Sequence, residues 1–300
     1  MKKATIQPDK SSWIECNMEN ISKNQEGKIM KYESWNIAVE GQKTGEAVLH
    51  GYLLDAISVA PEKKRPAVIV CAGGGYARRS DREAEPVILQ FLSMGYHGFL
   101  LDYSVAPNRF PTSVRELALA VSMVREHAEE WHVDPEKIFV CGFSAAGHLC
   151  CSLGEFWNQE FVYGAIGKTP EAIRPSGLIL CYPVITAGGA AHRGSFDCLV
   201  GEQATKEELD QVSLELHVHK DMPKTFIWHT YEDQAVPVEN SLYLATALRK
   251  AGVNFELHIF PRGLHGSALA NEETSGIRQE LVIPAAQKWI ELVHTWIEEF

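Results

Sequence analysis

The sequence has no long apolar run. No window approaches the roughly 18 consecutive apolar residues that a transmembrane helix needs. Residues 1–8 also lack the apolar core of a secretory signal peptide. We therefore expect no membrane partner, and the predicted location is the cytoplasm.

Basic residues are few and scattered. Lysine and arginine number 28 against 39 aspartate and glutamate, which leaves a formal net charge of −11. The longest basic run is Lys63–Arg65. A nucleic-acid-binding surface needs a basic patch to neutralise phosphates, so this charge balance argues against a nucleic-acid partner.

Disulfide, zinc and dinucleotide patterns are also missing. The seven cysteines are an odd number, several lie inside apolar runs, and no C-x-x-C pair occurs. They are typical of buried free thiols in a reducing compartment. No G-x-G-x-x-G opens a helix, which argues against a dinucleotide site. We predict neither a metal nor an organic cofactor.

What the chain does contain is an alternation of apolar strands and amphipathic helices in 300 residues of which 45% are hydrophobic. Such alternation predicts an α/β fold with a mostly parallel, doubly wound sheet. Two alternating stretches near the beginning predict antiparallel strands joined by a turn over 41–45. The predicted strands are 32–39, 47–54, 67–71, 98–103, 138–141, 177–182, 225–230 and 255–260. The predicted helices are 80–94, 112–131, 148–155, 238–251 and 281–298.

The domain organisation follows from the same pattern. Without internal repeats or a low-complexity linker, we expect residues 1–300 to form a single domain, with 1–30 as a loosely attached N-terminal arm. Residues 61–66 are predicted to be a charged loop. Ser80 and Glu83 have the spacing of a capping box at the start of the 80–94 helix. The stretch 184–222 is longer than an ordinary connection and is predicted to form a small cap or lid.

The centre of the sequence is KIFVCGFSAAGHL, residues 137–149. A buried strand, a sharp turn of small residues and a helix follow one another, as a nucleophile elbow requires. Ser144 lies at the apex, and the backbone N–H of Ala145 begins the helix, where it can bind a developing oxyanion. The alternative is a serine that caps an ordinary helix.

A glycine loop follows the first buried strand. Gly73, Gly74 and Gly75 allow backbone amides to face a cleft with no side chain in the way, which suits the second half of an oxyanion hole. A plain turn or a phosphate cradle is the alternative. The neighbouring Arg78 and Arg79 suit either solvated loop positions or contact with substrate hydroxyls.

Two further chemistry-bearing residues follow the last strands. Asp233 comes after the 225–230 strand, and His265 comes after the 255–260 strand, between two glycines. Ligands of parallel sheets bind at the carboxyl ends of the strands. The chain order Ser144, Asp233, His265 is that of the α/β-hydrolase scheme. Glu232 is the rival carboxylate, and either one can instead cap the following helix. His148 is interpreted as a packing residue.

From about Tyr32 onwards, the chain resembles the α/β-hydrolase esterases. The segments 102–107 and 133–135 resemble the hormone-sensitive-lipase-like branch. The resemblance to bacterial acetylxylan-esterase-like proteins is closer still. It is carried by GGGY (73–76), SDREAEP (80–86), YSVAP (103–107), GFSAAGHL (142–149), the 228–241 segment and HG (265–266). Ala72 and Ala146 depart from the family pattern. Ala146 stands where the family has a glycine, and this difference bears on how tight the elbow turn can be.

The resemblance implies an α/β-hydrolase fold with antiparallel N-terminal strands and a small cap. It implies Ser144 as nucleophile, Asp233 as acid and His265 as base, with an oxyanion hole formed by the amides of Gly74, Gly75 and Ala145.

The function predicted from the sequence is a serine carboxylesterase that acts on short, acetyl-type esters of sugars or xylo-oligosaccharides. The predicted partner is thus a small-molecule ester, and by analogy with the family an acetylated saccharide. Tyr76 is a candidate substrate contact. A homo-oligomer is compatible with the sequence. A peptidase or amidase of the same fold is the alternative, followed by a non-catalytic binding protein on a hydrolase scaffold.

Overall fold

The computed structural model describes residues 30–43, 45 and 47–300. The predicted arm therefore lies outside the described residues, apart from Met30. An eight-stranded sheet runs through the described part of the chain, in the order β1-β2-β4-β3-β5-β6-β7-β8. Its strands are β1 Lys31–Ile37, β2 Ala47–Leu53, β3 Arg65–Cys71, β4 His97–Asp102, β5 Val133–Phe143, β6 Gly177–Cys181, β7 Lys224–Thr230 and β8 Phe255–Phe260.

The sheet is antiparallel at one edge and parallel elsewhere. β1 pairs with β2, and β2 with β4, in antiparallel register, whereas every pair from β4 to β8 is parallel. In the centre, Val140 of β5 is paired with Ile69 on one side and Leu178 on the other, and all three are fully buried. Strands covered on both faces read as continuous apolar runs, which is how the sequence revealed them. The predicted α/β-hydrolase architecture is confirmed.

Helices cover both faces of the sheet. On one face, α2, α3 and α8 contribute to the larger apolar core, and on the other α1 and α10 contribute to a second one. The helices are α1 Glu85–Ser93, α2 Thr112–Glu126, α3 Ala145–Phe156, α4 Glu160–Tyr163, α5 Pro170–Ile173, α6 Arg193–Leu199, α7 Lys206–Gln211, α8 Glu239–Ala251, α9 Glu272–Ser275 and α10 Trp289–Glu298. None of the helices in the described ranges is both long and apolar enough to cross a membrane.

The predicted capping box at Ser80 is wrong. The Ser80 side chain makes no capping hydrogen bond, and a short 3-10 turn, Asp81–Glu83, precedes α1, which begins at Glu85. The Glu83 carboxylate is buried and bonds to groups distant in sequence, so it is not available to the helix end.

Other boundaries also differ from the prediction, among them the start of β5, which lies at Val133 and not at 138. The predicted helix over 281–298 forms only from Trp289, because Pro284 lacks the N–H that a helix interior needs. The helix that begins at Thr112 ends at Glu126 and not at Trp131. Arg65 and Pro66, expected in a charged loop, belong to β3.

The 184–222 segment contains α6, α7 and a 3-10 turn over Leu214–Leu216. Its residues His192, Gly194 and Cys198 line the cleft described below. Its action as a lid stays a prediction, as does the assignment of the chain to one domain.

Candidate active site

Ser144 occupies a strained turn between β5 and α3. Its backbone has φ +55° and ψ −119°, a region that non-glycine residues rarely adopt. The turn is held by backbone bonds, from the Ser144 N–H to the Cys181 carbonyl (2.9 Å) and from the Val184 N–H to the Ser144 carbonyl (3.0 Å). A Cβ at Gly142 would lie 2.1 Å from the Ala146 carbonyl oxygen, so only glycine fits there. The turn forms with Ala146 buried inside α3.

Ser144, His265 and Asp233 form a continuous hydrogen-bonded chain. The Ser144 Oγ lies 2.7 Å from the His265 Nε2, and the His265 Nδ1 lies 2.6 Å from the Asp233 Oδ2. A carboxylate can only accept a hydrogen bond, so Nδ1 carries a proton and the neutral ring leaves Nε2 free to accept from the serine hydroxyl. The structure thus brings together the three side chains singled out in the sequence.

Asp233 is fixed by more than its histidine partner. Its Oδ1 accepts the backbone N–H groups of Ala235 (3.0 Å) and Val236 (2.9 Å), and its Oδ2 lies 3.3 Å from the buried His229 Nε2. Burial alone would raise the pKa of Asp233, but the hydrogen bonds from His229 and His265 outweigh it and hold the pKa well below its usual value. The carboxyl is therefore ionised.

His229 was missed in the sequence. Its Nε2 donates to the Val236 carbonyl (2.9 Å), so its Nδ1 accepts from the Ser241 hydroxyl (2.8 Å). In the sequence, a histidine inside an apolar strand gives no signal of a functional role. The only pointer to His229 is its position, second from the end of the strand that leads into the loop carrying Asp233.

The rival carboxylate, Glu232, points elsewhere. It is exposed, and its Oε2 accepts the Gly263 N–H at 3.2 Å. This bond ties the loop before His265 to the end of β7, and no hydrogen bond joins Glu232 to His265 within the described residues.

The glycine loop lies directly beside Ser144. A Cβ on Gly73 would lie 3.0 Å from the Ser144 Cβ and 2.6 Å from the Phe143 carbonyl oxygen, which excludes any larger residue. Gly74 and Gly75 have φ of +136° and +69°, and both line the cleft next to Ser144. Ala145, the third candidate amide, is the first residue of α3.

A buried carboxyl connects the glycine loop to the histidine loop. The Glu83 Oε2 accepts the Gly73 N–H and its Oε1 accepts the Tyr182 hydroxyl, both at 2.8 Å. That hydroxyl in turn accepts the Ala268 N–H at 2.8 Å, and the Tyr182 ring contacts the His265 ring edge to face, with centroids 5.0 Å apart. Burial raises the pKa of Glu83, while the Tyr182 hydrogen bond opposes the rise. In the sequence, Glu83 was assigned to the capping box.

Tyr76 lies under the glycine loop and faces the core. It is 3% exposed, it is absent from the cleft lining, and its hydroxyl bonds to the His148 Nδ1 at 3.0 Å. This placement does not support the predicted substrate contact. His148 is the packing residue that was expected, with the addition that both of its ring nitrogens are hydrogen-bonded.

The cleft over Ser144 has a volume of about 480 Å³. The residues that line it are Gly74, Gly75, Ala77, Arg78, Ser80, Arg82, Glu83, Ser144, His192, Gly194, Cys198, His265, Gly266 and Arg278. Within the described residues, no group of three or more His, Cys, Asp or Glu side chains is arranged to hold a metal ion.

His192, another residue not singled out in the sequence, contributes a hydrogen-bond donor to the cleft. Its Nδ1 lies 2.8 Å from the Ser195 Oγ, and Ser195 is 1% exposed. The buried hydroxyl has no other side-chain hydrogen bond among the described residues, so its proton goes to Nδ1 and the ring proton resides on Nε2. Burial and the neighbouring His265 lower the pKa of His192, which keeps the ring neutral.

Comparison with known proteins assigns the chain to a family. Residues 56–248 match the BD-FAE family. The chain belongs to the BD-FAE family. The predicted resemblance to acetylxylan-esterase-like proteins is thereby confirmed at the level of the family.

Relatives and a solved structure agree with this assignment. The chain is 38% identical over 220 residues to endo-1,4-beta-xylanase B of Butyrivibrio fibrisolvens, covering 70% of this chain and 34% of the relative. It is 27% identical over 206 residues to the acetylxylan esterase of Xylanibacter ruminicola, covering 67% of this chain and 40% of the relative. The chain thus spans well under half the length of these curated relatives. Among solved structures, an acetyl ester-xyloside bifunctional hydrolase from Caldicellulosiruptor lactoaceticus is 37% identical, with a TM-score of 0.73 over 85% of this chain and 88% of the other.

Proposed function

We propose that the protein is a serine carboxylesterase that hydrolyses short-chain, acetyl-type esters. The observation that carries the proposal is the Ser144–His265–Asp233 hydrogen-bond chain, with links of 2.7 and 2.6 Å, inside a cleft at the carboxyl ends of the strands. Such a chain lets a serine hydroxyl lose its proton as it attacks a carbonyl carbon.

In the proposed reaction, His265 Nε2 takes the hydroxyl proton while the Ser144 Oγ bonds to the ester carbonyl carbon. The carbonyl oxygen becomes an oxyanion, and the ionised Asp233 stabilises the imidazolium. His265 then gives its proton to the departing alcohol oxygen as the ester C–O bond breaks, leaving an acyl-serine. Water, deprotonated by the same nitrogen, attacks the acyl carbon and releases the acid and the free serine.

The oxyanion is proposed to accept N–H groups from Gly74, Gly75 and Ala145. The first two line the cleft and have positive φ angles, which glycine adopts readily. Ala145 begins a helix, where the macrodipole favours negative charge. Glu83 acts as a positioning residue, because it fixes the Gly73 amide that precedes this pair.

A sugar acetate is the proposed substrate class. The support is the names of the relatives, which include an acetylxylan esterase, and of the acetyl ester-xyloside hydrolase among the solved structures. The side chains of the cleft agree with it, since the His192 Nε2–H and the arginines of the lining are hydrogen-bond donors suited to saccharide oxygens.

The test is a substrate series with matched variants. Aryl acetate, butyrate and octanoate are compared, and kcat/KM is expected to be highest for acetate and to fall steeply by octanoate. Each methylene that the acyl pocket cannot accommodate costs roughly 1–3 kcal/mol. Rates that rise with chain length would contradict the acetyl assignment while leaving the esterase assignment in place.

Ser144→Ala is expected to lose several orders of magnitude in kcat, as triad serines do at about 10⁶. The control is Ser93→Ala, which removes an exposed hydroxyl on α1 and is expected to retain wild-type turnover. An aminoacyl anilide cleaved faster than the aryl acetate would instead favour the amidase alternative. A wild-type protein inactive on every substrate would favour the binding protein.

A further inference from the structure

The cleft differs in charge from the rest of the protein. The whole chain carries −11, yet three arginines line the cleft: Arg78, Arg82 and Arg278. Among the described residues that line it, Glu83 is the sole acidic side chain, and it is buried with both oxygens engaged in hydrogen bonds. The side chains that line the cleft thus include more cations than anions, although the chain as a whole is acidic.

Arg82 is held beside the histidine loop without an ionic partner. Its Nη1 donates to the carbonyls of Gly266 and Thr274, both at 3.0 Å, and the side chain is half-buried. Carbonyl oxygens orient a guanidinium but do not neutralise it. No carboxylate lies within ion-pair distance of Arg82 in the described part of the chain. The buried Glu83 carboxyl feels its charge, but both Glu83 oxygens are taken up by the Gly73 N–H and the Tyr182 hydroxyl.

Arg78 is the second unneutralised cation. It is exposed, and its Cγ lies 3.1 Å from the position of a Cβ on Gly74, which puts the side chain next to the glycine loop. Across the described ranges it has no ion pair, whereas its neighbour Arg79 pairs with Asp102 at 3.2 Å and the third cleft arginine, Arg278, pairs with Glu280 at 3.0 Å.

The position of Arg82 indicates which half of an ester would meet these charges. In the proposed reaction, His265 Nε2 delivers its proton to the departing alcohol, so the alcohol must lie on the His265 side of Ser144. Arg82 binds the carbonyl of Gly266, the residue that follows His265. The acyl group, by contrast, bonds to Ser144.

We propose that the alcohol part of the substrate carries a carboxylate, as in an acetylated acidic saccharide, and that Arg82 and Arg78 bind it. The inference rests on the proposed esterase function and narrows its substrate class. Guanidinium groups present planar pairs of N–H donors that match a carboxylate, and such charge-assisted bonds are stronger than those to a neutral hydroxyl.

The test compares para-acetoxybenzoate with its neutral methyl ester. Both release acetate, and only the first carries a carboxylate on the departing alcohol. The measured quantity is the ratio of kcat/KM for the charged ester to that for the neutral one, because comparing this ratio between variants cancels the intrinsic reactivity of the two esters. Arg78→Gln is expected to lower the ratio roughly fivefold, the scale of a partly exposed ion pair. Arg78→Glu is expected to lower it further, and added salt should lower the wild-type ratio.

Arg249→Gln, which removes an exposed arginine at the end of α8, is the matched control and should leave the ratio unchanged. Arg82→Gln is expected to lower the ratio as well, and ratios that are equal in the wild type, Arg78→Glu and Arg82→Gln would overturn the inference. A wild-type protein that hydrolyses neither ester would count against the esterase function itself, which separates the two failures.

Discussion

The buried His148 should make the protein sensitive to mild acid, and replacing it with glutamine should remove a defined part of that sensitivity. The ring is fully buried in α3. Its Nε2 donates to the Val212 carbonyl at 2.8 Å and its Nδ1 accepts the Tyr76 hydroxyl at 3.0 Å, so there is no place for a second proton. Burial lowers the pKa of His148 from 6.5 to about 4.

The sign and size follow from linkage between folding and proton binding. The unfolded chain protonates its histidine near pH 6.5, whereas the folded protein resists protonation until about pH 4. The stability that depends on the neutral ring is therefore complete above pH 6.5 and is lost as the pH falls towards 4. Between about pH 7 and about pH 4.5, this one group should cost the folded state about 2 kcal/mol.

The assay is urea unfolding of the wild type and His148→Gln at both pH values. The amide can still donate to Val212 but cannot take up a proton, so the variant should be less stable near neutrality and should recover about 2 kcal/mol relative to the wild type in acid. His97 provides a parallel case, because burial lowers its pKa to about 4 as well. Its contribution is present in both proteins and cancels. A His148→Gln variant that is destabilised equally at the two pH values would refute the reasoning.

Two further predictions concern carboxyl groups near the cleft. Asp233→Asn should slow ester hydrolysis on the order of 10⁴-fold, because His265 would then be held in the wrong tautomer. Glu232→Gln alters only a 3.2 Å hydrogen bond to a backbone N–H and should lower kcat less than about tenfold. Steady-state kcat values of the two variants are compared, and the reverse ranking would assign the acid to Glu232. Glu83→Gln should lower the free energy of unfolding by about 1–3 kcal/mol and also reduce kcat, since the amide can accept from Gly73 or Tyr182 but not from both. Loss of stability with no change in kcat would show that Glu83 does not position the glycine loop.

Much of the fold could be predicted from local sequence patterns, because the interactions that produce these patterns lie between residues close together in the chain. The strand, tight turn and helix around Ser144 are visible in the sequence, since a strand buried on both faces is an unbroken apolar run and the turn admits only small neighbours. The ends of helices and strands were predicted less accurately. Glu83 matched a helix cap at Ser80, but a buried backbone N–H and a buried hydroxyl both require an acceptor, and that requirement outweighed the local preference.

What the sequence by itself determined is therefore the alternation of elements, the glycine loop and the order of serine, carboxylate and histidine after successive strands. The sequence resemblance favoured Asp233 over Glu232 as the acid, and the tertiary structure shows that Asp233 reaches His265. Only the tertiary structure decided that His229 stands behind that carboxylate and that His192 lines the cleft. Neighbours in sequence point in different directions within a loop, and Ser144 and His265 are 121 positions apart in the chain. Their distances depend on how the loops pack over the sheet, which no periodicity in the sequence records.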